Sequence, residues 1–174
     1  MDTRRMTHIA LATAVMCIIS PFTIYIPVSV VPISLSILTI FLSVYVLKLG
    51  DALIACGLYI LLGAVGLPVF SGMAGGPAKL FGPTGGYIFG YFLLILIASP
   101  LVLRSKKSWQ QAGGLALGTA ACYALGTAWL AFQAHLSFEA ALMAGVIPFI
   151  PADIIKIILI IIVGPKIKQM TQIF

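Results

Sequence analysis

The chain has 174 residues, 61% of them hydrophobic and only 8% charged, and its mean hydropathy is +1.18; a soluble domain carries roughly 25% charged residues, so this is an integral membrane protein and not a soluble enzyme or adaptor. Its formal net charge of +6 comes from basic residues at the ends of apolar runs. That distribution excludes a nucleic-acid-binding stripe and points to membrane orientation. A helix needs roughly 20 residues to cross the hydrocarbon core, so residues 1–174 are expected to form one transmembrane domain of about six spans in the lipid bilayer.

The first span is expected over residues 7–19. Ser20, Pro21 and Pro27 mark the following turn, with residues 22–26 continuing the crossing in kinked form. Arg4 and Arg5 precede it, and no small-residue cleavage site follows, so the run reads as a retained helix and not a leader. Ala10 and Ala14, with Ala12 alongside, make a small-residue surface on which another helix can pack closely, from this chain or from a partner protein. A second span is expected over residues 32–47, ending at the short polar connection Lys48, Leu49, Gly50 and Asp51. The third follows over residues 52–67, stopped by Pro68.

Residues 68–91 then crowd helix-breaking residues between two apolar runs. Lipid offers no partner to free backbone groups, so irregular chain at membrane depth survives only where protein buries it or where it lines a cavity. This stretch therefore reads as a pocket wall. The fourth span starts near Thr84, after Pro83, and runs through Leu103 to the basic cluster Arg104, Lys106 and Lys107.

The fifth span covers residues 112–134 and carries Gly114, Gly118, Cys122 and Gly126 at intervals of four, a seam suited to tight helix packing. Residues 135–150 are too few and too interrupted to cross, and read as a short non-spanning helical segment with Ser137 as its N-cap. The sixth span opens at Pro151, a favoured first-turn residue, and runs towards Lys166 and Lys168, with Gly164 and Pro165 near its end.

With six spans and an internal N-terminus, one side carries Arg4, Arg5, Lys48, Arg104, Lys106, Lys107, Lys166 and Lys168, and the other only Lys79. The positive-inside rule puts both termini in the cytoplasm. The glycine-rich stretch between the third and fourth spans, the non-spanning segment and the start of the sixth span then meet at the outer face.

Asp153 and Lys156 are the ionisable residues inside an apolar span. A charge at the bilayer centre costs about 2.5–3.5 kcal/mol even on insertion scales, so neither is expected to face lipid. Their spacing of three sets them on one helical face, as a self-satisfied ion pair or as a ligand site. Lys156 offers N–H donors and a positive charge suited to a carboxylate, and Asp153 accepts from an N–H group. Phe70, Phe81 and Tyr87 offer apolar wall, and glycines 72, 75, 76, 82, 85 and 86 allow close backbone approach. Together they suit a small, mostly apolar solute bearing an acid and an amide-like group.

No phosphate-binding Gly-x-x-x-x-Gly-Lys-Ser/Thr loop occurs, His8 and His135 are isolated, and no His-Glu-x-x-His is present, so neither nucleotide hydrolysis nor a metal site is expected. Cys17, Cys56 and Cys122 are scattered through apolar runs and give no disulfide framework.

Three blocks carry a resemblance. Pro68-Val-Phe before the glycine-rich loop, Gly82-Pro83-Thr84-Gly85-Gly86-Tyr87, and Pro148-Phe149-Ile150-Pro151-Ala152-Asp153-Ile-Ile-Lys156 resemble the BioY family, the biotin-specific S components of energy-coupling-factor (ECF) transporters. Ala152 stands where the family is expected to carry glycine. The resemblance implies a bacterial plasma-membrane protein of six helices. It would capture biotin at the outer face and release it inward when docked on a transmembrane coupling subunit driven by two ATPase subunits. It implies no catalysis and no cofactor, biotin being cargo. It also implies substrate contacts by Asp153, Lys156, Phe70, Gly75, Gly76, Thr84, Gly85, Gly86 and Tyr87, and a coupling-subunit contact at Ala10 and Ala14; donor and acceptor chemistry, and not the resemblance, sets Lys156 on the carboxylate and Asp153 on a ureido N–H. The rival readings are an S component for another small carboxylate-bearing vitamin, and a membrane enzyme with Asp153 and Lys156 as acid and base.

Overall fold

A computed structural model describes residues 3–24, 33–105 and 107–173, with side chains described to residue 170. The expected roles of Pro27, of Pro32 and of Lys106 fall outside these residues. The described chain is mostly helical. Helix α1 (Thr3–Ile19) turns Ile9, Thr13 and Met16 inward at helical spacing, while Ala10 and Ala14 face out.

The kinked continuation of this helix is not what forms. Pro21 has no N–H to extend the ladder, and the β-branched pair after it forms strand β1 (Thr23–Ile24), antiparallel to β2 (Ile33–Ser34). The second helix, α2 (Ser36–Val46), consequently starts later than expected, its first N–H bonded to Ser34 Oγ at 3.0 Å.

Helix α3 (Leu49–Ala64) also ends earlier than Pro68 would dictate. Gly66, at φ +104°, supplies the left-handed residue of a Schellman ending, with Gly66 N–H on the Gly63 carbonyl (3.1 Å) and Leu67 N–H on that of Leu62 (3.2 Å). The glycine, not the proline, is the stop. Within the loop that follows, Pro77 opens a single helical turn, α4 (Pro77–Leu80).

Helices α5 (Gly85–Arg104) and α6 (Ser108–Gln133) form the closest pair. The expected small-residue seam is their contact: a methyl on Gly118 would stand 2.8 Å from the Leu94 carbonyl, and one on Gly126 would enter the Tyr87 ring. Without side chains at these points, the backbones approach. After His135, which closes α6 at φ +52°, Ser137 caps α7 (Phe138–Gly145) by accepting from Ala140 N–H at 3.2 Å. A 3₁₀ turn (Ile147–Phe149) leads into α8 (Ile150–Ile173), which continues through Pro165.

Among the described residues, three helical stretches are long and apolar enough to cross a membrane, Gly85–Arg104, Ser108–Gln133 and Phe138–Met170, with α2 and α3 as shorter apolar helices. One end of the molecule brings together the start of α1, the α2–α3 connection, the α5–α6 connection and the later part of α8, segments that carry most of the basic residues. There Arg5 meets Asp51 at 2.5 Å, Tyr45 donates to Gln111 Oε1 at 3.1 Å, Gln111 donates to the Ser105 carbonyl, and Gly164 of α8 lies against the Tyr45 ring. The hairpin, the long loop and α7 occupy the opposite end.

Candidate functional site

A hollow opens at that opposite end, between β2, the start of α2, the long loop and α5 to α8. It is lined by Ser34, Ile37, Ser71, Thr84, Tyr87, Ile88, Tyr91, Tyr123, Gly145, Phe149, Asp153 and Lys156, and holds about 510 Å³ not filled by atoms, counting its open mouth. Most of this wall is apolar or aromatic. Its polar floor is on α8.

Asp153 stands in the first turns of α8 and Lys156 one turn on, so the helix itself sets their separation. They are 4% and 7% exposed, and Lys156 Nζ lies 2.7 Å from Asp153 Oδ1. Lys156 also donates to the Ser34 carbonyl at 2.8 Å. Asp153 Oδ2 accepts from the Tyr123 hydroxyl. The ion pair is thus tied to β2 on one side and to α6 on the other, which is how two charges are held out of water without being left unpaired.

Tyr87, four residues past Pro83, crosses from α5 to α7. Its hydroxyl donates to the Gly145 carbonyl at 3.0 Å, and its ring stands edge-on to Tyr123 with centroids 6.4 Å apart. Both aromatic rings are fixed by other elements before any solute arrives.

Of the nine residues expected to contact substrate, Thr84, Tyr87, Asp153 and Lys156 line the hollow together. The remaining five lie elsewhere. Phe70 is 1% exposed, stacked edge-on to Tyr59 with centroids 5.5 Å apart, and its ring covers Gly63. Gly75 backs onto the Gly66 and Leu67 carbonyls, Gly85 onto the Leu80 carbonyl, and Gly86 onto Trp129 of α6. Gly76, at φ +87°, donates its N–H to the Gly63 carbonyl at 2.7 Å. These positions shape the loop and its seat. Phe81, offered as wall, is largely exposed.

Ser34, Ser71, Tyr91, Tyr123 and Phe149 enter the lining without having been singled out there. No charge or motif marks Ser34 or Tyr123, and only tertiary packing brings them in, while Ser71 and Tyr91 lie in the glycine-rich stretch and Phe149 in the third motif block. Ser71 arrives because the loop is tied down: Phe70 bridges Ala74, Gly72 N–H bonds the Pro21 carbonyl at 3.1 Å, and Trp129 Nε1 bonds the Gly82 carbonyl at 3.0 Å. Among the described residues, no three His, Cys, Asp or Glu side chains converge on a metal-sized site.

Known proteins resemble this arrangement over nearly its whole extent. The chain is 38% identical to the biotin transporter BioY of Thermotoga maritima, over 84% of this chain and 86% of the relative. It is 36% identical to the biotin transporter BioY2 of Lactococcus lactis, over 91% and 87%. A crystal structure of the S component for biotin from an ECF-type ABC transporter aligns with a TM-score of 0.85 at 27% identity, covering 97% of this chain and 95% of that one. The family model of the BioY family matches residues 1–173. With the same fold and a family match over residues 1–173, this chain belongs to the BioY family.

Proposed function

We infer that the chain is the biotin-capturing membrane subunit of an ECF-type uptake system, a transport protein and not an enzyme. The observation that carries this is the buried, hydrogen-bonded ion pair on the floor of an aromatic-walled hollow, in a chain whose relatives are biotin transporters. An apolar pocket with few converging polar groups is the usual form of a small-molecule site. Purified protein should bind biotin with a stoichiometry near one, and mass spectrometry of co-purifying solutes should find biotin. Another vitamin in its place would refute the cargo assignment.

In this reading Asp153 and Lys156 contact the cargo, Thr84 and Tyr87 form its wall, and Phe70, Gly75, Gly76, Gly85 and Gly86 act by shaping the loop over it. The orientation expected from donor and acceptor chemistry alone, Lys156 on the carboxylate and Asp153 on the ring, is revised. The two charges lie 2.7 Å apart, whereas four methylenes separate the acid of biotin from its bicyclic head. An extended ligand brings one end to both charges, and the ureido ring, which both donates and accepts, suits a donor beside an acceptor. The valerate then points to the mouth.

The finer topology belongs to the same reading: a single domain with six spans in a bacterial plasma membrane, with both termini and the basic end in the cytoplasm. It is supported by the segments that carry most of the basic residues lying at one end and the hollow at the other. Ala10 and Ala14, on the outward face of α1, suit close packing against a transmembrane coupling subunit, with two ATPase subunits supplying the energy. Biotin is cargo throughout, and no cofactor is assigned.

A further inference from the structure

The polar floor of the hollow holds a third polar side chain that neither charge nor motif marks. Tyr123 of α6 donates its hydroxyl proton to Asp153 Oδ2, while Lys156 donates to Oδ1 at 2.7 Å. An ionised carboxylate only accepts, so the phenol must be the donor here, and its oxygen keeps lone pairs of its own. The two donors come from different helices and take different oxygens. Together they fix the carboxylate plane, which Lys156 alone, on the same helix as Asp153, leaves free to turn about its last bond.

The phenol is itself held. Its ring stands at 77° to Tyr87, and the Tyr87 hydroxyl is tied to the Gly145 carbonyl at 3.0 Å. The order of support runs from α7 through α5 and α6 to the charged residue on α8. A donor placed this rigidly does more than satisfy a buried oxygen, which water in the open hollow could also do.

We propose that Tyr123 is the positioning residue for Asp153: by holding Oδ2 it keeps the remaining acceptor sites of the carboxylate turned into the hollow, where a ureido N–H of the cargo meets them. Without the hydroxyl, both carboxylate oxygens can turn onto the Lys156 ammonium, and the acceptor is withdrawn from the ligand. This rests on the biotin reading above. It adds a residue to the recognition machinery that acts through another side chain.

The test is equilibrium binding of radiolabelled biotin to the purified full-length protein, its Tyr123→Phe variant, and the same change in an Asp153→Asn background. Phenylalanine keeps the ring and its contact with Tyr87. A hydrogen bond to a charged group predicts a loss of about 10- to 100-fold for Tyr123→Phe in the native background. In the Asp153→Asn background the same change should alter affinity by no more than about twofold, the limit for independent sites. Unchanged affinity in the native background, or an equal loss in both, would overturn the proposal, because a packing role is blind to the charge on residue 153. Where Asp153→Asn leaves too little binding to measure, 3-fluorotyrosine at position 123 replaces that background: the stronger O–H donor should retain native affinity, and affinity as weak as that of Tyr123→Phe would overturn the proposal. Failure of the unaltered protein to bind biotin would remove the cargo assignment and this proposal together; native binding with an indifferent Tyr123→Phe would remove the proposal alone.

Discussion

Lys156→Met separates the two things the ion pair does. Methionine keeps the length and apolar stem of lysine and deletes the charge, leaving Asp153, 4% exposed, with the Tyr123 hydroxyl as its remaining partner among the described residues. The Ser34 carbonyl loses its donor as well. Breaking a buried pair by removing one member costs about 3–5 kcal/mol, which is about two to four decades in the folding equilibrium. Removing both charges leaves no buried charge unpaired: replacement of a buried pair by well-packed hydrophobic residues is often neutral or stabilising by about 1–4 kcal/mol, and an amide at position 153 keeps an oxygen that can accept from the Tyr123 hydroxyl. Asp153→Asn with Lys156→Met should therefore recover most of the thermal stability that Lys156→Met loses. Neither variant should bind biotin, because recognition needs the charged donor and acceptor themselves. Thermal unfolding in detergent, read as loss of the monodisperse peak on size exclusion, and biotin binding measured on the same samples give both quantities. Native thermal stability in Lys156→Met would mean that the pair is not closed off from water. Native affinity in the double variant would mean that the charges are not what the cargo meets.

Three further outcomes follow from the geometry. Gly126→Ala puts a methyl into the Tyr87 ring; overpacking of this kind costs about 1–3 kcal/mol, so the variant should be less thermostable and, with Tyr87 displaced from the wall, should also bind biotin more weakly, whereas unchanged binding would take Tyr87 out of the site. Replacing Ala10 and Ala14 together by tryptophan should abolish co-purification with the coupling subunit and leave biotin affinity native, since both face away from the core; a parallel loss of affinity would place α1 in the site instead. Competition by analogues tests ligand orientation: biotin methyl ester should compete nearly as well as biotin and diaminobiotin, which lacks the urea carbonyl, poorly, and the reverse order would return the carboxylate to Lys156.

Much of the helical layout was legible because apolar length and small-residue spacing are local signals. The seam of Gly114, Gly118, Cys122 and Gly126 showed which face of the fifth span would meet a neighbour, and Ser137 marked the start of α7 by a cap that the structure contains. Boundaries failed where two breakers competed or where partners were distant in sequence. Pro68 is the louder signal after α3, but Gly66 comes first and takes the left-handed conformation that ends the helix. Residues Thr23 and Ile24 look like more apolar helix until β2 is available to pair with them. Pro165, a breaker in water, lies within α8, where neighbouring elements can compensate the freed backbone groups.

The site divides along the same line. Asp153 and Lys156 stood out because charge inside an apolar run is costly wherever it points, so the composition alone demanded an explanation. Tyr123 did not, since a tyrosine in a membrane helix needs none, and its partner is 30 residues away in sequence. The loop shows the limit most clearly. A glycine-rich segment carrying Phe70, Phe81 and Tyr87 suggested an aromatic wall, but Phe70 is the anchor that fastens the segment over Gly63 and against Tyr59, and the next residue, Ser71, reaches the hollow. Phe70 and Ala74 close a three-residue turn in which Ser71 is the first residue, so burying Phe70 in the core anchors that turn and with it holds Ser71 at the hollow.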